Sequence, residues 1–213
     1  MTDRLNKIFD ILPNCDVFAD IGCDHGYMTL AMLKSGKCKK AIVSDVSEKC
    51  LQKARDLLSK YIESGVVESA VSDGFDNVGE CDLALIAGMG GEEICSILVR
   101  RECLPQKLVL QPMKNTDKVR RCALQLGYRF IRDFTFFSAG KFYDIISLEK
   151  GCDSLTDEEI EFGRDNLKER PDAFIIMLED KIEKLNFFMA QGTLKEQSKE
   201  QMQRQIERLK QYV

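Results

Sequence analysis

Two carboxylates flank a short, glycine-bounded turn near the start of the chain. Asp20 lies at the end of an apolar run, and Asp24 lies between Gly22 and Gly26. A helix is predicted to begin at Tyr27. A strand, a tight loop and a helix in this order are typical of a nucleotide-cofactor loop at the carboxyl end of a first parallel strand.

The charges of this turn indicate which cofactor it suits. Its spacing is Gly-x-x-x-Gly, and Asp24 stands where a dinucleotide loop has its second glycine. Each carboxylate would repel a pyrophosphate by roughly 1 to 4 kcal/mol at a separation near 4 Å. S-adenosylmethionine has no phosphate and carries an ammonium and a sulfonium, so the same carboxylates would attract it.

Further polar residues follow the next two predicted strands. Asp45 lies 25 residues after Asp20, where a carboxylate accepts the hydroxyls of a cofactor ribose. Its alternative role is to cap the helix that opens at Ser47. Asp73 is suited to accept from an adenine amine, although Asp73-Gly74 is also an ordinary turn pair.

Three glycines follow the fourth predicted strand, in the segment 88–91. They allow a close approach of the backbone to a ligand at a helix N-terminus, or tight packing of strand against helix. The predicted cofactor-binding residues are Asp20, Gly22, Cys23, Asp24, Gly26, Asp45, Val46, Asp73, Gly74, Gly88, Met89 and Gly90.

Four residues are candidates for the chemistry itself. His25, the single histidine of the chain, is suited to act as a general base, a stacking surface or a loop hydrogen-bonding group. Tyr27 either stacks on a base or fills the first helical turn. Gln111 ends the fifth strand and either bonds a base edge or belongs to a strand that Pro112 terminates. Asp24 is an acceptor for developing positive charge.

The elements that position these residues alternate along the chain. Strands are predicted at 17–21, 41–44, 66–71, 83–87 and 108–110, and helices at 5–12, 27–35, 47–63, 92–101 and 117–126. This alternation indicates a parallel sheet covered on both faces. Two further strands, 130–137 and 143–149, have so short a link that they must be antiparallel. The prediction is an α/β fold with a seven-stranded sheet over residues 1–151.

Residues 152–213 change to a helical pattern. Thr156 is a predicted N-cap, with Glu159 completing a capping box. Apolar residues then follow two narrow seams, which predict a helical hairpin of coiled-coil type linked through 191–193. The seams are Ile175, Leu178, Ile182, Leu185 and Met189, and then Met202, Ile206, Leu209 and Val213.

Composition excludes several classes of protein. The chain has 213 residues, 44% of them hydrophobic and 31% charged, as in folded globular proteins. No apolar run approaches the roughly 18 residues of a membrane span, and the start lacks a signal-peptide core. Nine scattered cysteines with one histidine disfavour a metal site and predict free thiols in a reducing cytoplasm.

The net charge of −4 hides a basic segment. Between Leu98 and Arg132 nine basic residues stand against two acidic ones, a net charge of +7. Such a block is either a phosphate-facing surface or a solvated helix face. The predicted nucleic-acid contacts are Arg100, Arg101, Lys114, Lys118, Arg120 and Arg121, joined by Lys195, Lys199, Arg204 and Arg208 of the last helix.

Four motifs together resemble one enzyme family. They are Asp-Ile-Gly-Cys-Asp-His-Gly-Tyr (20–27), Gly-Met-Gly-Gly (88–91), Leu-Gln-Pro (110–112) and Phe-Tyr-Asp-Ile-Ile (142–146). In this order they resemble the bacterial tRNA adenine-N1 methyltransferases of TrmK type. The resemblance implies a class I methyltransferase domain, S-adenosylmethionine as cofactor, adenine 22 of tRNA as substrate, and a coiled-coil domain that assists tRNA binding.

The chain departs from that pattern at two positions. Gly26 stands where alanine is expected, which should only lower helix propensity. Met113 stands where asparagine is expected and lacks a polar group for the target base. Three other functions stay open: a nicotinamide-dependent oxidoreductase, a methyltransferase of another substrate, and a non-catalytic protein that binds partners through its helical hairpin.

Overall fold

The computed structural model describes residues 1–191 and 196–213, and the fold is a three-layer α/β structure with a helical tail. The α/β class and the seven-stranded sheet are confirmed. The strands are β1 Val17–Ile21, β2 Lys40–Asp45, β3 Val67–Val71, β4 Leu83–Met89, β5 Lys107–Pro112, β6 Tyr128–Ser138 and β7 Lys141–Lys150.

The helices of the first part lie between these strands much as predicted. They are α1 Asp3–Ile11, α2 Tyr27–Lys34, α3 Glu48–Glu63, α4 Gly91–Arg100 and α5 Thr116–Gln125. Helices α1, α2 and α3 cover one face of the sheet, with Ile8, Met32 and Leu51 fully buried. Helices α4 and α5 cover the other face through Ile94 and Val119.

The strand order places the carboxyl ends of β1 and β4 side by side. The order is β3-β2-β1-β4-β5-β7-β6, with β1 to β5 parallel and β7 antiparallel to both of its neighbours. The chain therefore leaves β1 toward one edge and returns at β4 toward the other. Ligands of open α/β sheets bind in the crevice at this kind of switch point.

The tail consists of α6 Asp157–Phe162, α7 Arg164–Glu169, α8 Asp172–Ala190 and α9 Glu196–Leu209. The capping box of Thr156 and Glu159 is confirmed. Helices α8 and α9 share a small apolar core that includes Phe174, Leu178 and Leu209. Most of the predicted link, Gly192 and Thr193, lies outside the described residues, and the coiled-coil character stays a prediction.

The tail also covers the free edge of β6. Three backbone N–H groups on that edge donate to side chains of the tail segment: Phe130 to Asp153 (2.9 Å), Asp133 to Asp165 (3.0 Å) and Thr135 to Asn166 (2.8 Å). Edge strands otherwise present unpaired donors that invite pairing with another chain. The tail therefore completes the sheet, whereas the boundary at residue 151 stays a prediction.

Candidate active site

A cavity of about 570 Å³ opens at the carboxyl ends of β1, β2 and β4. That volume lies in the range of small-molecule and cofactor sites. Most of the predicted cofactor and catalytic residues line it: Asp20, Gly22, Cys23, Asp24, His25, Tyr27, Asp45, Val46, Asp73, Gly74, Gly88 and Met89. Three of the predicted site residues are not among the described residues that line the cavity: Gly26, Gly90 and Gln111.

Asp20 is the buried carboxylate of the cavity. Its side chain accepts a hydrogen bond from Thr29 Oγ1 at 2.9 Å, and the residue is 5% exposed. Burial raises the pKa of Asp20 to about 6, and the negative charge of Asp45 adds to the increase. A carboxylate buried at this cost is suited to a cationic ligand.

Gly22 lets the β1 loop lie flat against the neighbouring strands. Its backbone has φ +72°, and a Cβ there would lie 2.2 Å from the terminal carbon of Met89. The N–H groups of Gly22 and Cys23 both donate to the carbonyl of Ser44, at 2.8 and 3.0 Å. The positive φ therefore favours glycine, whereas the tip of the flexible Met89 side chain could move aside for a Cβ.

Asp45 is not the N-cap of α3, so its alternative role as a helix cap is wrong, and its carboxylate instead accepts hydrogen bonds from two loop N–H groups. One carboxylate oxygen accepts from the N–H of Ser47 at 2.8 Å, while the other accepts from the N–H of Asp24 at 3.2 Å. The N-cap of α3 is Ser47, whose hydroxyl accepts from the N–H of Cys50. Asp45 thus organises two loops at the cavity wall, and its contact with a ribose stays a prediction.

The turn of Asp24, His25 and Tyr27 forms an exposed rim. Asp24 adopts φ 47°, and its carboxylate lies 2.7 Å from His25 Nδ1. The rings of His25 and Tyr27 stack with centroids 5.4 Å apart and an interplanar angle of 6°. Tyr27 is half exposed, so the alternative of a packing role in the first helical turn is wrong.

Gly26 lies at the start of α2, where its conformation and its contact with α3 both favour glycine. It is the N-cap of α2 with φ +71°, and a Cβ there would lie 3.1 Å from side-chain carbons of Ala54 and Leu58. The expectation that it only lowers helix propensity is therefore wrong, because Gly26 lies before the helix and approaches α3 closely. Positive φ is the conformation that glycine adopts without strain.

The glycines after β4 divide between the two predicted roles. Gly88 lines the cavity with φ +84°, whereas Gly90 is the N-cap of α4. A Cβ on Gly91 would lie 2.4 Å from the carbonyl oxygen of Asn115. Tight packing of α4 against the start of α5 therefore accounts for Gly91.

Gln111 is buried behind the cavity. Its side-chain oxygen accepts from Arg4 Nη1 at 2.5 Å, and its Nε2 donates to the carbonyl of Pro112 at 2.9 Å. Direct contact of Gln111 with a base edge, as predicted, is not available in this arrangement, since the side chain is fully buried and its oxygen is occupied. Arg4 of α1 lies there instead. The helical pattern of α1 did not predict a role for Arg4 in the site.

The predicted basic surface is largely paired or buried. The prediction is wrong for Arg120, which is 1% exposed and donates from Nε and Nη2 to the Asp133 carboxylate, both at 2.8 Å. Arg101 donates to backbone carbonyls of the loop after β3. Asp133 and the loop after β3 both lie outside residues 98–132, so the charge pattern of that segment does not predict these contacts.

The remaining predicted contacts lie on the surface. Arg100 holds Asp73 through two hydrogen bonds of 2.9 Å and keeps the pKa of that carboxyl below its usual value. Lys118 pairs with Glu92, and Arg121 pairs with Asp157. Lys114 is exposed.

The described part of the chain contains no helix that is both long and apolar enough to cross a membrane. Within the same residues, no group of histidine, cysteine and acidic side chains is arranged to hold a metal ion. All nine cysteines are free thiols.

Comparison with known proteins identifies relatives that are similar over most of their length. A tRNA (adenine(22)-N(1))-methyltransferase of Bacillus subtilis is 28% identical over 156 residues, which cover 71% of this chain and 66% of the relative. The crystal structure of a putative tRNA (m1A22) methyltransferase of Streptococcus pneumoniae has a TM-score of 0.91 and 25% identity, covering 100% of this chain and 99% of that one.

A second structure of the Streptococcus pneumoniae protein, in complex with S-adenosyl-L-methionine, has a TM-score of 0.88 and 24% identity. It covers 100% of this chain and 99% of that chain. The family model described as a methyltransferase domain matches residues 1–146. That span includes the whole cavity lining, and the chain belongs to the methyltransferase domain family.

Proposed function

We propose that this chain transfers a methyl group from S-adenosylmethionine to N1 of an adenine in tRNA, at position 22. The observation that carries the proposal is the pair of carboxylates, Asp20 and Asp45, at the ends of β1 and β2 in the cavity of a methyltransferase-family fold. The substrate is supported by the names of the Bacillus and Streptococcus relatives.

The cofactor is proposed to lie across the switch point of the sheet. Asp20 and the backbone of the β1 loop would face its methionyl part, and Asp45 its ribose. Asp73, already held by Arg100, would accept from the adenine amine. Gly88, His25 and Tyr27 line the same cavity and would lie near the methyl group that is transferred.

The acceptor needs alignment more than activation. N1 of adenine has an in-plane lone pair that is unprotonated near neutral pH, so it attacks the methyl group without a strong base. N1 lies on the Watson–Crick edge, and the base must therefore leave its pairing partner first. The stacked, half-exposed rings of His25 and Tyr27 offer a surface for the extruded base, while Asp24 lies beside the positive charge that develops on the purine.

The direct test is methyl transfer to RNA. The protein is incubated with radiolabelled S-adenosylmethionine and unmodified tRNA transcripts, and the modified base is mapped by primer extension. A transcript with guanine at position 22 is the matched control. Label in both transcripts alike, or in neither, would refute the proposed substrate.

Cofactor placement is tested by a pair of aspartate variants. Asp45→Asn is expected to weaken S-adenosylmethionine binding by about tenfold or more, since a charge-assisted hydrogen bond contributes about 1.5–3 kcal/mol. Asp56→Asn, at an exposed position of α3, is the control and should bind normally. Equal affinities for both variants in calorimetric titration would remove Asp45 from the site.

RNA contacts are proposed for the exposed remainder of the basic block, Lys114, Lys118 and Arg121, and for the last helix. Lys199, Arg204 and Arg208 have acidic partners within the tail, and Lys195 lies outside the described residues. Each phosphate contact removed should lower the salt dependence of binding by about one ion. Arg121→Glu is therefore expected to flatten that slope, and an unaltered slope would exclude Arg121.

A further inference from the structure

Arg4 places a permanent positive charge in a cavity that is otherwise acidic. It lies in the first turn of α1 and is half-buried. Its guanidinium lies beside Gly88, such that a Cβ there would be 3.5 Å from Nη1. The cavity wall carries four aspartates and Glu93, and Arg4 is the one permanent cation among its described lining residues.

The four aspartates already have other partners, whereas Glu93 is exposed and has no recorded partner among the described residues. Asp20 is bonded by Thr29 and Asp73 by Arg100, while the Asp24 carboxylate lies 2.7 Å from His25 Nδ1 and 3.7 Å from Lys53 Nζ. Asp45 is bonded by two backbone N–H groups. None of the described side chains neutralises Arg4, whose recorded partners are the uncharged amide of Gln111 and the ring of Tyr143, 5.7 Å from the guanidinium carbon.

This arrangement differs from that of most other arginines in the chain. Acidic partners are recorded for Arg55, Arg100, Arg120, Arg121, Arg129, Arg132, Arg164, Arg204 and Arg208. A half-buried guanidinium that lacks such a partner loses hydration without compensation by an opposite charge. Gln111 and Tyr143 hold it in one position and leave its charge unmatched.

We propose that Arg4 binds an anionic oxygen group at the Gly88 end of the cavity, and that Gln111 and Tyr143 position its guanidinium for this. The inference rests on the proposed function. The proposed reaction supplies two candidate anions, the α-carboxylate of the cofactor and the phosphate next to the target adenosine, and either could reach Arg4. Arginine suits both, because its planar fork matches either group.

The test compares Arg4→Gln with the wild-type protein on ligands that have lost the anion. Calorimetric affinities are measured for S-adenosylmethionine and for decarboxylated S-adenosylmethionine. The KM for RNA is measured with a normal transcript and with one carrying an uncharged methylphosphonate beside the target adenosine. A loss of about tenfold or more is expected for one charged ligand, and it should disappear with the uncharged counterpart.

The pattern of the loss identifies the anion. A loss confined to S-adenosylmethionine assigns the carboxylate, and one confined to the normal transcript assigns the phosphate. Equal effects on both members of each pair, or no effect on any, would overturn the proposal, because a general folding defect does not distinguish them. Arg4→Lys should retain part of the affinity.

Lys7→Gln, at an exposed position of the same helix, is the matched control and should behave as wild type. Failure of the proposed function gives a different result. In that case the wild-type protein methylates no RNA, while the comparison of the two cofactors can still be made.

Discussion

Burial of the Asp20 carboxyl disfavours its ionised form. The carboxyl has a single side-chain donor, Thr29, and its pKa rises from 3.8 to about 6. A raised pKa means that the folded state favours the protonated form. The resulting contribution to stability is complete below pH 3.8 and is lost as the pH rises through about 6.

Asp20→Asn should therefore stabilise the ligand-free protein at neutral pH. A rise of this size in the pKa corresponds to about 3 kcal/mol above pH 7, and the advantage of the variant should grow from about pH 4 to about pH 7 and then stay constant. Urea unfolding of both proteins across this range measures it. The same variant should bind S-adenosylmethionine more weakly, and a variant that is less stable at every pH would contradict this account of Asp20.

At Gly26 a side chain would be unfavourable for both conformation and packing. Gly26→Ala should lower stability by about 1 kcal/mol or more, since it forces a side chain into positive φ and against α3. Gly36→Ala is a matched control, because Gly36 has φ +72° but no heavy atom within 4 Å of a Cβ. Thermal unfolding should give a larger decrease in Tm for Gly26→Ala, and equal decreases would mean that crowding by Ala54 and Leu58 contributes nothing.

In helix α5 the sequence of charges does not indicate which arginine side chains are exposed. Arg120 and Arg121 are adjacent, yet one is buried and the other is exposed. The buried guanidinium donates to Asp133 on β6 and to the carbonyls of Ile160 and Glu161 at the end of α6. Arg120 therefore joins the sheet to the tail.

The two adjacent arginines give a sharp test of this difference. Arg120→Ala should destabilise the protein by about 3 to 5 kcal/mol, because it leaves the Asp133 carboxylate buried and unpaired. Arg121→Ala should cost no more than about 1 kcal/mol, as is usual for exposed ion pairs. Denaturant titration of both variants measures the difference. Similar losses in the two variants would show that Arg120 contributes little more than a surface charge.

Regular elements were predictable because their signals are local. The parallel strands and the β6–β7 hairpin follow from alternation and link length, and Thr156 with Glu159 follows from the capping-box spacing. The cavity lining was also largely predicted, since the carboxyl ends of parallel strands meet at one edge. What could not be predicted was long-range pairing, such as Arg4 with Gln111 and Arg120 with Asp133.

At the scale of the whole molecule, the tail protects the sheet that carries the cavity. Asp165 and Asn166 of α7 accept N–H groups from the free edge of β6, and Asn166 also donates to Thr135 Oγ1 at 2.8 Å. Side chains thus take the place of an eighth strand.

A chain cut after Gly151 should consequently be less soluble. Removal of the tail exposes the unpaired edge of β6 and leaves Arg120 without its carbonyl partners on α6, so self-association is expected. Size-exclusion chromatography and light scattering at increasing protein concentration measure it, with the full chain as control. A monomeric, stably folded fragment would indicate that the sheet does not need the tail.

The raised pKa of Asp20 links cofactor binding to the release of a proton into the buffer. With a pKa of about 6, this carboxyl is protonated in about half of the cofactor-free protein molecules at pH 6. A cation that binds beside it favours the ionised form, and the proton then passes to the buffer. Cofactor binding near pH 6 should therefore have an apparent enthalpy that varies with the ionisation heat of the buffer, and that variation should vanish in Asp20→Asn.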